Sequence, residues 1–248
     1  MALWPFGKKD TGSDEGESTA PSEPGNGTDS GAEPQVIEDD GAVHDAVGGE
    51  MGPFDADSVD INDFDLSDFA KGVLDLGSMQ IPLPKESEVQ VEMGEQGPRM
   101  LHIVTAYGRL TPVAFAAPRS AGQWREATKD IAEGMRRDGL ETRIEQGPWG
   151  REVVGEAKDR VIRILGVDGP RWMLRMTMIS PIDRSDRMTE LGREVVARSF
   201  VRRGDAPILA SSPLPVTIPP QLAAQVQQAM QQRAQQAQQA QPDSGKSE

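Results

Sequence analysis

The sequence predicts an α+β fold in which one antiparallel sheet carries two main helices on a single face. Three observations lead to this prediction. Segments with the two-residue alternation of strands recur through residues 85–205, and two segments with the helical period interrupt them. The two ends of the chain are poor in apolar residues, so we expect a single folded domain over residues 85–205 between disordered ends.

Charge is distributed as unevenly as apolar surface. The 248-residue chain has a formal net charge of −14, but residues 1–80 hold 19 acidic and 3 basic residues, which leaves 21 acidic and 23 basic residues for the remainder. Residues 1–52 are rich in Gly, Ser, Pro, Asp and Glu and cannot bury enough apolar surface to offset the entropy of ordering. We therefore predict a disordered acidic tail over residues 1–52.

Residues 53–84 differ from this tail because apolar side chains alternate with aspartates. The large side chains that would serve as anchors are Phe54, Phe64, Leu66 and Phe69. Acidic-hydrophobic segments of this kind fold onto an apolar groove with a basic rim. We interpret residues 53–84 as a docking segment, which packs either in cis against its own domain, the alternative we favour, or in trans on a partner.

The strand patterns begin after Pro84. Over residues 88–93, valine and methionine alternate with glutamate and glutamine, which is the period of a half-buried strand. Further strands are predicted at residues 100–107, 110–116, 141–146, 151–157, 160–166 and 171–180. We therefore expect a sheet of about six to eight strands.

Two amphipathic segments predict the helices. Ser120 and Gln123 have the spacing of a capping box, and Gly139 is placed to end the helix, so the first is predicted over residues 121–138. The second is predicted over residues 186–202. With both helices on one face, the interior should contain Trp124, Ile131, Met135, Ile162, Ile164, Trp172, Leu174, Leu191 and Val195.

The last two strand patterns predict a β-hairpin. We predict a three-residue loop over residues 167–169, because this register makes one face of the pair wholly apolar. The opposite face then carries Arg163, Arg171 and Arg175 together. These three arginines are our candidate patch for an anion or a protein partner.

Residues 206–248 combine a Pro-rich connector with a Gln- and Ala-rich tail. Leu222, Val226 and Met230 recur at helical spacing, which predicts a marginal helix that is too narrow to be core. We expect the rest of the tail to be disordered.

Little in the chain predicts catalysis. It has no cysteine, which excludes disulfides, thiolate nucleophiles and cysteine-bound metals. Of the two histidines, His44 falls in the tail, and His102 falls on an apolar strand face, where a structural role is expected. Because phosphate-binding and metal-binding motifs are also absent from the sequence, we assign no catalytic, cofactor-binding or metal-binding residue.

Membrane insertion and export are not predicted either. No stretch is long enough to cross a bilayer, and the apolar run at residues 2–6 is too short for an export signal. We therefore expect a cytoplasmic protein, and its oligomeric state is left open.

Three motifs resemble a known family. They are the sequences of residues 52–55 (GPFD), residues 74–78 (LDLGS) leading to Ile81-Pro82, and residues 167–175 (VDGPRWMLR). On these motifs, the last of which is the most specific, the chain resembles the actinobacterial domain-of-unknown-function family 3710 over about residues 50–220. The resemblance implies an actinobacterial origin and a shared fold, and it implies no activity. The long acidic insert between Phe54 and Leu74 looks like a departure from the family pattern.

Three functions of different classes follow from these features. We favour a non-enzymatic interaction or regulatory protein with a protein partner. The second is a nucleic-acid-binding domain that uses Arg163, Arg171 and Arg175 with Trp172 or Trp149 and is autoinhibited by its acidic arm. The third is an enzyme with an unrecognised site that acts on an anionic substrate.

Overall fold

The structure is a computed structural model that describes residues 44–94, 97–120, 122–220, 222–224 and 228. The mostly antiparallel α+β class is confirmed within these residues. In chain order the elements are β1 Phe54–Asp55, β2 Ala70–Asp75, β3 Met79–Pro84, β4 Ser87–Gly94, β5 Gly97–Thr105, β6 Arg109–Ala116, α1 Gln123–Arg137, β7 Glu141–Gly147, β8 Gly150–Glu156, β9 Arg160–Gly169, β10 Trp172–Pro181, α2 Ser185–Ala197 and β11 Phe200–Val201.

Seven strands form the central sheet in the order β4-β5-β6-β10-β9-β8-β7, and every neighbouring pair is antiparallel. Strands β4 to β6 form one meander and β7 to β10 another. Because α1 connects β6 to β7, the second meander returns so that its last strand, β10, pairs with β6. This places β10 in the middle of the sheet.

Alternation along β10 defines the two faces of this sheet. The even-numbered residues from Trp172 to Met178 are buried in the larger core, together with Met188 and Val195 of α2. A Cβ at Gly192 would overlap Met178, so this glycine allows α2 to approach the sheet closely. We call this the α2 face.

Helix α1 lies on the other face. Its Trp124 and Ile131 form a second core with Phe115 of β6, Val153 of β8 and Met173 of β10. The two helices therefore cover opposite faces of the sheet, whereas the sequence predicts both of them on a single face. The reason is that an amphipathic pattern shows that a helix is buried but not which face of a sheet it covers.

Residues 53–84 belong to the core of the domain. They form β1, β2 and β3, which assemble with β11 into a four-stranded sheet in the order β1-β11-β3-β2. Their apolar side chains pack into the larger core from the α2 face, and the buried ones include Leu74, Leu76, Met79 and Ile81. The folded unit thus begins before residue 85, because the aspartates of this stretch conceal a β2-β3 hairpin with a buried side.

The β9-β10 turn differs from the predicted three-residue loop. Gly169 pairs with Trp172, so Pro170 and Arg171 form a two-residue turn, and Arg171 has a φ of 60°. Proline at the first loop position and a left-handed residue at the second suit such a turn. The predicted register is therefore wrong. The observed pairing differs from it by an odd number of residues, so side chains of β9 and β10 that were predicted to share a face lie on opposite faces.

Helix α1 begins without the predicted capping box. Gly122 is its N-cap residue and provides no side-chain cap. Asp168 of β9 takes this role, since its carboxylate accepts hydrogen bonds from the N–H of Gly122 at 3.0 Å and of Trp124 at 3.1 Å. A residue distant in sequence thus caps the helix.

Helix α2 ends earlier than the predicted residue 202. It ends at Ala197, and Phe200–Val201 continue as β11, which pairs with β1 in parallel and with β3 in antiparallel orientation. Tertiary strand pairing therefore determines the conformation of residues whose local pattern predicts a helix.

Part of the predicted connector packs on the domain. Leu214 is buried in the larger core, and Pro213 bridges to Phe115 of β6. The predicted interior is largely found: Ile162, Ile164 and Leu191 are half-buried, and the buried members are Trp124, Ile131, Met135, Trp172, Leu174 and Val195. The predicted disordered tails lie mainly outside the described residues, as do Val226 and Met230.

Candidate functional site

Arg163 lies in a buried ion cluster, which consists of Glu145, Glu152, Arg163 and Arg193. Arg163 donates through Nη1 to Oε2 of Glu152 at 2.6 Å and through Nη2 to Oε2 of Glu145 at 2.7 Å. The Glu152 side chain is only 2 % exposed and also accepts two hydrogen bonds of 2.9 Å from Arg193 of α2. The ion cluster therefore joins β7, β8 and β9 to α2.

Hydrogen bonds from two arginines keep Glu145, the more exposed carboxylate of the ion cluster, ionised. Burial would raise the pKa of Glu145, but hydrogen bonds from Arg163 and Arg143 outweigh it, so the pKa lies below its usual value. The contact from Nε of Arg143 to Oε1 of Glu145 is 2.7 Å. Arg163 thus has two carboxylate partners and a structural role.

Arg171 occupies the second position of the β9-β10 turn. Its Nη2 donates to the carbonyl of Gly204 at 3.4 Å, which connects the turn to the chain after β11. Its side chain therefore contacts backbone and does not line a strand face.

Arg175 lies on the α1 face with its guanidinium carbon 4.8 Å from the ring centroid of Phe115. The described residues offer it neither a carboxylate nor a hydrogen-bond acceptor, and its Nε is buried without a partner. Burial lowers the pKa of Arg175. A cation–π contact offsets part of the cost of this burial but gives the buried Nε–H no acceptor.

The structure does not bring the three candidate arginines together. Arg163 pairs with Met178 on the α2 face, and Arg175 pairs with Gly166 on the α1 face. Arg171 lies in the turn between their strands. The common patch required the three-residue loop, so it is lost with that register.

The candidate docking segment packs in cis. The rings of Phe54, Phe64 and Phe200 form a cluster with centroids 4.7–5.2 Å apart. Phe69 lies under the guanidinium of Arg198, 4.8 Å from its centroid, and Leu66 is half-buried. The segment thus lies against the chain around β11 and not against Arg163 or Arg175.

Two aspartates of this segment have specific partners. Asp55 is buried and accepts a hydrogen bond of 3.0 Å from Nε1 of Trp172. Asp57 accepts from the N–H of Arg203 at 3.0 Å and of Gly204 at 2.8 Å. These acidic side chains therefore satisfy donors of their own domain.

Half of the α1 face carries no layer among the described residues. Helix α1 packs on β7, β8 and β9, whereas α2 and the four-stranded sheet lie on the α2 face. Met173 of β10 and Phe115 of β6 reach the core under α1, but no described helix or strand packs over the rest of the α1 side of β4, β5, β6 and β10. We call this surface the open face, and its middle is marked by Glu92, His102, Thr111 and Arg175.

Charge changes sign across the open face. Strand β4 contributes the exposed Glu88 and Glu92, whereas β6 and β10 contribute Arg109 and Arg175. His102 of β5 lies between them. One side of the face is acidic and the other is basic.

His102 forms a hydrogen-bonded chain on this face. Its Nδ1 lies 2.8 Å from Oγ1 of Thr111, and its Nε2 lies 3.5 Å from Oε2 of Glu92. Burial and the charge of Arg109 lower the pKa of His102, although Glu92 opposes them. The imidazole is therefore neutral near pH 7, which agrees with the predicted structural role. The other histidine, His44, contacts the carbonyl of Pro53 at 2.8 Å.

Metal-binding clusters and membrane-spanning helices are both absent from the described residues. These residues contain no group of three or more His, Asp or Glu side chains that could hold a metal ion. None of their helices is long and apolar enough to cross a membrane.

Sequence reasoning missed Glu152, Arg193 and Asp168. Glu152 directly precedes Val153-Val154 in a predicted strand, and this position indicates a buried carboxylate. A buried carboxylate needs a cationic partner. Its partner Arg193 could not be identified, since only the fold brings α2 to β8. The predicted loop over residues 167–169 includes Asp168, so the sequence does not predict that this residue caps α1 from a strand.

The comparisons with known proteins identify a family. A family model described as "Protein of unknown function (DUF3710)" matches residues 52–225. The chain belongs to this family. The predicted resemblance is confirmed, and the match includes the acidic insert and both helices.

The other comparisons add little. No curated protein matches the chain. Among solved structures it is similar to the solution structure of cyanobacterial PsbP (CyanoP) from Synechocystis sp. PCC 6803, at 9 % identity and a TM-score of 0.35, over 50 % of this chain and 86 % of that chain. At that TM-score the likeness supports no argument about fold or function.

Proposed function

We propose that this protein is a non-enzymatic interaction protein that binds a protein partner through the open face. The observation that carries the proposal is a half-sheet that, among the described residues, has no covering layer and combines half-buried apolar side chains with an arginine that has no carboxylate partner. Val104, Val113 and Ile179 lie on it beside Arg175. A sheet face that only meets water carries polar side chains, so this composition favours a covering partner.

Arg175 is the strongest single feature of this surface. Arginine is enriched among residues that dominate binding energy, and a carboxylate would use donors that have no acceptor among the described residues. Its position on Phe115 holds the guanidinium plane in place before binding. We therefore assign Arg175 as the anchor of the open face.

An enzyme is less well supported. Thr111, His102 and Glu92 have the residue types of a hydroxyl, base and acid chain. However, Thr111 is 7 % and His102 6 % exposed, so the hydroxyl cannot reach a substrate without rearrangement of the sheet. The chain of contacts is better explained as satisfaction of buried polar groups.

A nucleic-acid-binding function also loses support. It required several cations on one surface, because phosphate contacts supply most of such affinity. Arg163 is committed to the ion cluster and Arg171 to the turn, which leaves Arg109 and Arg175. These two share the open face with Glu88 and Glu92, which repel phosphate.

Site-specific photo-crosslinking tests the proposal. A photoreactive amino acid replaces the exposed Gln90 on the open face of the full-length protein in its native cells, and the exposed Glu133 of α1 serves as the control position. We expect protein adducts from position 90, few from position 133, and loss of the position-90 adducts when Arg175→Glu is added. Equal adducts from both positions, or adducts unaffected by Arg175→Glu, would contradict the proposal. Crosslinks to nucleic acid would replace it with the nucleic-acid alternative.

A further inference from the structure

We propose that the occupant of the open face is a second copy of this chain, packed face to face in a two-fold symmetric dimer. This proposal rests on the proposed function, since it requires the open face to be an interaction surface. It goes further because it names the partner and the contacts. The argument uses the order of charged and apolar side chains that strand register imposes.

The register places opposite charges at opposite sides of the open face. In one row, Glu92 of β4 pairs with Met100 of β5, and Val113 of β6 pairs with Arg175 of β10. The β5-β6 ladder pairs Ile103 with Leu110, and continuing that register by three residues aligns Met100 with Val113, so that an acidic side chain, two apolar side chains and a basic side chain follow one another across the four strands.

A second row places another acid and base on the same two sides. Glu88 pairs with Val104, Val104 with Arg109, and Arg109 with Ile179. The acid again lies on β4 and the base on the side of β6 and β10. Hence both rows have the same polarity.

Two-fold symmetry turns this polarity into complementarity. An axis along the strands, between β5 and β6 and in the plane of the interface, places β4 of one copy over β10 of the other. Glu92 then comes opposite Arg175 of the second copy, and Met100 comes opposite Val113. Each pair occurs twice, as an isologous interface requires.

The distances and surroundings suit these pairs. Packed sheets lie about 10 Å apart, which an arginine and a glutamate span together. The apolar pair of Met100 and Val113 lies between the two ion pairs and excludes water, which strengthens the ion pairs relative to exposed ones. The dimer supplies the carboxylate that Arg175 lacks within the described part of its own chain.

A second copy fits this surface better than an acidic partner. An acidic partner would meet Glu88 and Glu92 as well as the two arginines, and like charges would oppose it. The open face instead presents acids on one side and bases on the other, and the two-fold axis brings the acidic side of one copy over the basic side of the second copy.

Charge reversal with complementation tests the dimer. Full-length protein is examined by sedimentation velocity, and we expect a dimer for the unmodified chain. Glu92→Arg alone and Arg175→Glu alone should each raise the dissociation constant at least about tenfold, because each places like charges opposite one another. An equimolar mixture of the two variants should restore the dimer, since both ion pairs then form with reversed polarity.

Controls keep each outcome informative. Glu133→Arg, the same charge change on the exposed side of α1, should leave the dimer intact. If Arg175→Glu does not fold, Glu92→Arg alone and the milder Arg175→Met should each still weaken the dimer, because each removes the pairs of Glu92 with Arg175. A monomer at about 100 µM, or folded variants whose mixture does not associate, would overturn this proposal. If the position-90 crosslinks to another protein then persist, the proposed function still stands.

Discussion

Two arginines on the neighbouring strands β9 and β10 have opposite environments. Arg163 contacts two carboxylates inside the ion cluster, whereas Arg175 has only the ring of Phe115 among the described residues. Both guanidinium groups are largely removed from water, so the difference lies in their partners and not in their burial. The comparison indicates that the first holds the fold together, and it agrees with our proposal that the second binds an external carboxylate.

Removal of Glu152 should have the largest effect on the paired side of this comparison. Glu152→Ala leaves Arg163 and Arg193 without their shared counter-charge, and we expect a loss of about 3–5 kcal/mol in the free energy of unfolding. Urea denaturation followed by circular dichroism measures it. Glu133→Ala on the exposed side of α1 should change stability by less than about 0.5 kcal/mol. A loss below about 1 kcal/mol for Glu152→Ala would show that the cluster is not a structural support.

The buried carboxylate of Asp55 offers a second test of how partners determine stability. Trp172→Phe removes the N–H that Asp55 accepts, and we expect a loss of about 2 kcal/mol because the carboxylate stays buried without this donor. Trp149→Phe is the matched control, since Nε1 of Trp149 donates to the carbonyl of Gly52 at 2.9 Å on a half-buried side chain. A larger loss for Trp149→Phe would refute the argument.

The pH dependence of stability should separate a carboxylate paired with arginine from one that lacks such a partner. The pKa of Glu145 is lowered in the folded state, so its contribution is present above the unfolded pKa and is lost as the pH falls through the folded value. Glu145→Gln should therefore reduce the loss of stability on acidification below about pH 4.5. Urea denaturation at a series of pH values measures this slope, and an unchanged slope would contradict the prediction.

Asp168 should show the opposite slope. Burial raises its pKa despite the backbone hydrogen bonds at the start of α1, so the folded state binds its proton more tightly than the unfolded state. Stability should then fall as the pH rises from about 4 through the raised pKa. Asp168→Asn should remove this fall in the same urea series. If the variant steepens it instead, the carboxylate is better stabilised in the fold than its environment indicates.

Local patterns predicted the strands and the first helix, because alternation and amphipathic period are properties of neighbouring residues. They did not predict the pairing of Gly169 with Trp172. In this pairing Asp168 is a strand residue that caps the distant helix α1, whereas the predicted loop includes it in the turn. They also assigned residues 198–202 to a helix, although pairing with β1 and β3 makes part of this stretch a strand.

The candidate site was predicted only in part for the same reason. Arg175 was selected from the sequence as a cation on a strand, and this assignment needs only local information. Its separation from Arg163 and the mirrored charges of the open face depend on register across four strands. A shift of one residue in any of these pairings would move Glu92 or Arg175 to the α2 face.

The most direct test of the account compares Arg163→Met with Arg175→Met by urea denaturation, at a protein concentration low enough that association does not add to stability. Methionine keeps much of the length of each side chain and removes its charge. We predict a loss of about 2–4 kcal/mol for Arg163→Met, because Glu152 and Glu145 lose a buried partner. For Arg175→Met we predict a change within about 0.5 kcal/mol, or a gain, because no carboxylate of the described residues depends on it. A loss for Arg175→Met as large as that for Arg163→Met would contradict the claim that Arg175 is held for binding.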